Sequence, residues 1–178
     1  MIRKKESRKK GNSKPKKLKE ILKKKLTGGE KEKLRSSYDL VGDIAILEIP
    51  EELVKKEKII AESLLNTHPN IKTVVKKKGK HRGEYRLQSY KILAGQRKKE
   101  TTHKEHGCWF KLHLEKTYFS ARLSTERKRI AEEVKPGEKI LVMFSGIAPY
   151  PIVLAKNSEA KKIMGIEINP LAHQFALE

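Results

Sequence analysis

The chain has 178 residues, one cysteine and a formal net charge of +20, with 42 Lys and Arg against 22 Asp and Glu. No apolar run approaches the roughly 20 residues that span a bilayer, and the first twenty residues lack the apolar core of a secretory signal. A single cysteine cannot form an internal disulfide, which fits a reducing cytoplasm, and the charge points to a polyanion such as nucleic acid.

The charge is concentrated in two places. Residues 1–36 carry 16 Lys and Arg against four acids. Their density predicts a basic, unpacked tail, although Leu18, Ile21, Leu22 and Leu26 keep a helical spacing. The stretch from Lys76 to Lys104 holds eleven basic residues against Glu84 and Glu100. This second stretch lies inside a region with the composition of a folded core.

From Tyr38 onward the pattern is that of a small α+β module, expected over residues 37–120. Asp39–Ile49 alternates and bends at Gly42-Asp43, as a strand or hairpin does. Pro50 primes a helix over Glu51–Thr67, which His68-Pro69 stops. Ile71–Val75 reads as a strand feeding the basic stretch, and strand-like runs follow near Tyr85–Leu93 and over Cys108–Leu114. Lys76, Lys77, Lys78, Lys80, Arg82 and Arg97 are the candidate phosphate contacts. His103, His106 and Cys108 suggest a metal at first sight, but with no fourth ligand nearby their spacing suits alternating strand faces.

Residues 121–178 read differently. A helix is expected over Leu123–Val134, then an apolar run, Lys139–Phe144, typical of a parallel strand buried on both faces. A Gly/Pro turn, Ser145–Pro151, leads to a helix starting at Ile152–Lys156. Lys162–Asn169 is a second buried strand, and Pro170 opens a further helix. This is the opening βαβ of a doubly wound nucleotide-binding fold, so the fold class is α/β. Gly146 allows close backbone approach to a ligand, and Glu167, 21 residues on, sits where a carboxylate can accept ribose hydroxyls. The turn holds one glycine and two prolines, which suits S-adenosylmethionine better than a dinucleotide, whose pyrophosphate needs a glycine-rich cradle.

Several runs resemble the archaeal tRNA (guanine-37-N1)-methyltransferase family: GDIAILEIP (Gly42–Pro50), His68–Gly95, TTHKEHGCWFKL (Thr101–Leu112), YFSARLSTERKRIA (Tyr118–Ala131), MFSGIAPYPIVLAK (Met143–Lys156) and GIEINPLA (Gly165–Ala172). The resemblance implies a small RNA-binding module followed by the start of a class I methyltransferase domain. It implies S-adenosylmethionine as cofactor, held by Phe144, Gly146, Pro149, Tyr150, Glu167 and Asn169. It also implies tRNA as partner, Glu126 as general base, Arg127 or Arg86 as the group stabilising guanine O6, and Arg122 as a further RNA contact. Two strands fall short of the seven such a domain needs, so the chain is expected to be a split half completed by a second polypeptide, a truncated reading frame or a fragment. The alternatives are a tRNA-binding module with a decayed catalytic part, and the related aminocarboxypropyl transferase of wyosine synthesis.

Overall fold

The structure, a computed structural model, describes residues 18–35 and 37–178. Two short helices, α1 (Leu18–Ile21) and α2 (Gly28–Lys33), precede a hairpin of β1 (Asp39–Val41) and β2 (Ile44–Leu47). A 3₁₀ turn (Glu51–Lys56) runs into α3 (Glu57–Thr67), followed by the long strands β3 (Thr73–Arg82) and β4 (Leu87–Gly95). These strands form one sheet in the order β1-β2-β3-β4. The parallel β2–β3 pair is made by the α3 crossover, and the outer pairs are antiparallel.

Strand β2 is buried at all four positions because it lies between two cores. Successive side chains point to opposite faces. Ile44 and Ile46 enter a cluster with Phe110, Leu112 and Leu154, whereas Ala45 and Leu47 pack with Leu53, Ile60 and Leu64.

The second cluster corrects the reading of residues 1–36 as an unpacked tail. Leu18, Leu22, Leu26 and Leu34 are buried in it. The i, i+4, i+8 spacing of the first three aligns one apolar stripe and leaves Lys23, Lys24 and Lys25 exposed. Burial of a leucine stabilises by roughly 1.5–3 kcal/mol, which outweighs screened repulsion among exposed lysines. Local bonds fix the segment further. Thr27 and Glu30 form a reciprocal capping box on α2, and Lys25 Nζ donates to Ser63 Oγ on α3 at 2.8 Å. The rest of the expected tail, residues 1–17, lies outside the described residues.

A hairpin of β5 (Glu100–Glu105) and β6 (Cys108–His113) follows, turning at His106-Gly107, both with positive φ. Strand β5 has no apolar residue and gave no strand pattern. Its inward positions, Thr101 and Glu105, are buried by polar partners instead. The inner face of β6, with Cys108, Phe110 and Leu112, packs with Ala131, Val153, Leu154 and Ala172. The hairpin thus contributes to the same core as the C-terminal elements, across the expected boundary at residue 120.

After a 3₁₀ turn (Ala121–Leu123) come α4 (Ser124–Glu133), β7 (Lys139–Met143), α5 (Pro149–Asn157), β8 (Lys162–Ile166) and α6 (Pro170–Leu177). Pro149 occupies the first turn of α5, three residues ahead of the expected start. Strands β7 and β8 pair in parallel. Both were expected to be buried on two faces, but only one face is covered. Ile140 and Ile163 pack on the core, whereas Leu141, Met143, Met164 and Ile166 are 45–61% exposed. Among the described residues no helix is long and apolar enough to cross a membrane.

Candidate nucleotide and RNA site

Because β7 and β8 are parallel, the loops that follow them emerge at one end. Glu167 ties these loops together. Its Oε2 accepts from Gly146 N–H at 2.6 Å and its Oε1 from Asn169 N–H at 2.8 Å. Asn169 is buried and caps α6, its Oδ1 accepting from the Leu171 and Ala172 N–H groups while Nδ2 donates to the Lys116 carbonyl. The first loop is wound tightly, with positive φ at Phe144, Gly146 and Ala148. Only glycine adopts that conformation freely, and a Cβ on Gly146 would also press on the Tyr118 carbonyl at 3.3 Å.

These loops form one side of a cavity of about 310 Å³. Phe144, Gly146, Glu167, Ile168 and Asn169 line that side, and Glu84, Tyr85 and Arg86 from the β3–β4 turn face it, with Tyr118 between them. Four of the six expected cofactor residues are therefore together with Arg86. Each Glu167 oxygen retains acceptor capacity beyond its one backbone bond, so ribose hydroxyls can still be taken there. Pro149 and Tyr150 are not in this wall, which corrects their placement. Pro149 is buried at the start of α5, and the Tyr150 ring lies 5.7 Å from the Arg127 guanidinium.

The structure separates the expected catalytic residues. Arg86 adopts a positive φ of 54° in the turn, where its carbonyl accepts from His81 Nδ1 at 2.7 Å. Arg127 is 1% exposed, held by Glu105 through bonds of 2.5 and 2.7 Å, with a third bond to the Ser120 carbonyl. Its guanidinium also lies 5.3 Å from the Phe119 ring. So enclosed, Arg127 does not line the cavity, against the expectation that places it at guanine O6. Glu126, one residue earlier on α4, points outward and pairs with Arg129 at 2.6 and 2.8 Å. The bonds from Arg129 hold its carboxyl below the ordinary range, and the residue does not line the cavity.

The basic residues also divide. Lys76 is mostly buried and paired with Glu57, which Lys91 also contacts, so Lys76 is neutralised rather than offered to phosphate. Lys77 lies 3.5 Å from Glu48, and Arg122 bonds Asp39 at 2.7 Å. Lys78, Lys80, Arg82 and Arg97 are exposed and form no ion pair among the described residues. Three of them form the outer end of β3, beside the turn that carries Arg86.

Tyr118 was missed by sequence reasoning as a site residue. It is 48% exposed, lies 6.1 Å from the His81 ring, and lines three adjoining cavities. An exposed aromatic between a basic strand pair and a nucleotide-type loop is the available signal, since such rings stack on bases. Among the described residues no group of three or more His, Cys, Asp or Glu is placed to hold a metal ion.

Comparison with known proteins matches residues 101–178 to the TRM5/TYW2 methyltransferase domain and residues 18–98 to the TYW2 N-terminal domain. The chain is 44% identical over 141 residues to the tRNA (guanine(37)-N(1))/4-demethylwyosine(37)-methyltransferase Taw22 of Nanoarchaeum equitans, covering 79% of this chain and 46% of that protein. A solved complex of aTrm5 and tRNALeu superposes with a TM-score of 0.79 at 36% identity, over 93% of this chain and 49% of its own. Trm5 of Methanocaldococcus jannaschii in complex with adenosine gives a TM-score of 0.73 at 34% identity, over 91% and 47%. The chain spans about half the length of the curated relatives it matches.

Proposed function

The chain belongs to the TRM5/TYW2 family, and on that premise we propose that it carries the RNA-binding and cofactor-binding parts of a cytoplasmic tRNA (guanine-37-N1)-methyltransferase. The observation that carries this reading is the shared cavity. Loops of nucleotide-binding type and the tip of a basic hairpin face each other across it, so a cofactor and a tRNA base can meet there.

S-adenosylmethionine fits the residues present. The walls offer apolar surface from Phe144 and Ile168 and two carboxylates, of which Glu167 on the loop side suits ribose hydroxyls and Glu84 lies in the facing turn; among the described residues the one cation in the lining is Arg86, and this balance makes a poor pyrophosphate site. When bound, this cofactor supplies an electrophilic methyl group. Guanine N1 carries a proton at neutral pH, so its methylation requires loss of that proton and stabilisation of charge on O6. In this reading Arg86 donates to O6 and Tyr118 offers a stacking face to the base. Glu126 is the proton acceptor, kept ionised by Arg129 until tRNA draws it inward. Lys78, Lys80 and Arg82 hold the flanking phosphates, with Arg97 farther along the same module and Arg122 in the 3₁₀ turn that follows it.

The exposed Leu141, Met143, Met164 and Ile166 face supports a second element of the reading. Contiguous apolar surface of this kind marks an interaction site. Further strands, on this or a second polypeptide, cover it in the working enzyme.

The test is methyl transfer from labelled S-adenosylmethionine to tRNA transcripts differing only at nucleotide 37. It is run with this chain alone and with the part of the Nanoarchaeum equitans relative that this chain does not match added. Label at N1 of guanosine 37, in the mixture and absent from adenosine-37 transcripts, is expected. Transfer to another nucleotide contradicts the reading, as does tRNA binding with no S-adenosylmethionine binding, which is the behaviour of a decayed module. The TYW2 match over residues 18–98 favours one other outcome, an aminocarboxypropyl product on a wyosine precursor, which product mass separates from a methyl group.

A further inference from the structure

A second concavity, of about 640 Å³, lies away from the residues that line the cofactor cavity. Its floor is the β1–β2 turn packed against β5, and one wall is Trp109 of β6. The floor is rigid. Gly42 N–H donates to His103 Nδ1 at 3.1 Å, Asp43 N–H to Thr101 Oγ1 at 3.2 Å, and Thr101 Oγ1 back to Asp43 Oδ1 at 2.9 Å. Lys98 Nζ neutralises the same aspartate at 2.5 Å. Gly42 has φ +56°, and a Cβ there would overlap the Thr101 hydroxyl and the Thr102 carbonyl.

Trp109 is 62% exposed although it sits on a strand whose neighbours Cys108 and Phe110 are buried. The alternation of β6 turns it outward, so it adds nothing to the core. Its cross-strand partner is Lys104, whose Nζ stands 4.9 Å from the ring centroid. Lys104 forms no ion pair with a described residue, and exposed Arg97 directly precedes Lys98 at the rim. The concavity therefore carries an outward aromatic ring with one ammonium over it that has no carboxylate partner among the described residues, and strand β5 pairs on one side only.

We infer that this concavity is a second RNA contact, in which an unstacked base of the bound tRNA lies on Trp109 and its phosphate on Lys104. The inference rests on the reading of tRNA as partner, and it adds a contact outside the cavity where methyl transfer is placed. Stacking on an aromatic ring is tolerant of base identity, so the site contributes affinity and placement rather than sequence choice.

Trp109 is the one tryptophan in the sequence, which makes it its own probe. The experiment titrates tRNA into the full chain while recording tryptophan emission, with fluorescence anisotropy of labelled tRNA measuring binding independently. Emission is expected to fall along the binding curve, Trp109→Ala to weaken binding about ten-fold, and Trp109→Phe to retain most of the affinity. Binding with unchanged emission, or with equal affinity for Trp109→Ala, overturns the second site and leaves the tRNA reading intact. No tRNA binding at all overturns that reading and the inference together. If emission responds instead to a protein partner and not to tRNA, the surface is a protein contact and the inference fails.

Discussion

Adjacent residues on α4 have unlike fates, and the difference lies in what surrounds them. Arg127 is enclosed by Glu105, Phe119, Tyr150 and the Ser120 carbonyl, whereas Glu126 faces solvent and Arg129. Removing one partner of a buried ion pair leaves a desolvated charge, so Glu105→Gln should destabilise by about 3–5 kcal/mol in urea denaturation. Glu126→Gln should leave the unfolding midpoint unchanged, since exposed pairs contribute little. Equal midpoint losses for the two variants would contradict this division.

The same network sets a pH dependence. Burial pushes the His103 imidazole down, with Glu105 opposing and Arg127 reinforcing, and burial also lowers His113. Both are therefore neutral in the fold at pH values where the unfolded chain has begun to bind protons. Stability should fall as pH drops below about 6.5, the ordinary histidine value. Burial opposes ionisation of Glu105 as well, but the bonds from Arg127 outweigh it and lower its pKa. Its stabilising effect is complete above the ordinary carboxylate range and is lost as pH falls through the folded value. His103→Gln should make the upper limb of midpoint against pH shallower. An unchanged limb would assign it elsewhere.

At the scale of elements, the leucine stripe through α1 ties the N-terminal segment to α3. Leu22 is fully buried, so Leu22→Ala should cost about 2–5 kcal/mol in the same assay. A solubilising tail would show no change. The outer end of β3 is the other element with a separable role. Replacing Lys78, Lys80 and Arg82 with alanine should flatten the dependence of log tRNA affinity on log salt by roughly 0.7–0.9 per lost phosphate contact. Lys76→Ala should leave that slope unchanged, because Glu57 already neutralises it.

Which elements were legible in the sequence follows from where their information lies. The βαβ of β7, α5 and β8 announced itself through apolar runs and a Gly/Pro turn, all local signals. Strand β5 did not, because Thr101 and Glu105 are buried by Asp43 and Arg127, partners 58 and 22 residues away. The pairing of Lys76 with Glu57 is equally remote in sequence. Within the lysine run, only the remote partners Glu57 and Glu48 set Lys76 and Lys77 apart from exposed Lys78 and Lys80. The leucine stripe was visible, but charge density outweighed it in a reading that lacked the α3 surface it covers.

For the molecule as a whole, two layers of organisation converge on one cavity. The β1–β4 sheet carries a basic hairpin whose turn holds Arg86, and the parallel β7–β8 pair brings Gly146 and Glu167 to the opposite wall. The uncovered face of β7 and β8 is where this arrangement continues in the proposed enzyme. Part of the candidate site was legible: Arg86, Phe144, Gly146, Glu167 and Asn169 stand out in the sequence motifs and line one cavity, their roles there being the proposal. Tyr118 was not singled out because its importance comes from standing between two elements that are separate in sequence.

In the proposed enzyme this cavity binds S-adenosylmethionine through Glu167. Calorimetric titration of S-adenosylmethionine into the full chain tests it most directly, with Glu167→Ala and Glu167→Gln checked for unchanged unfolding midpoints. One saturable site, lost in Glu167→Ala and weakened in Glu167→Gln, is the predicted result. Absence of saturable binding, or binding that both variants leave untouched, would contradict the account.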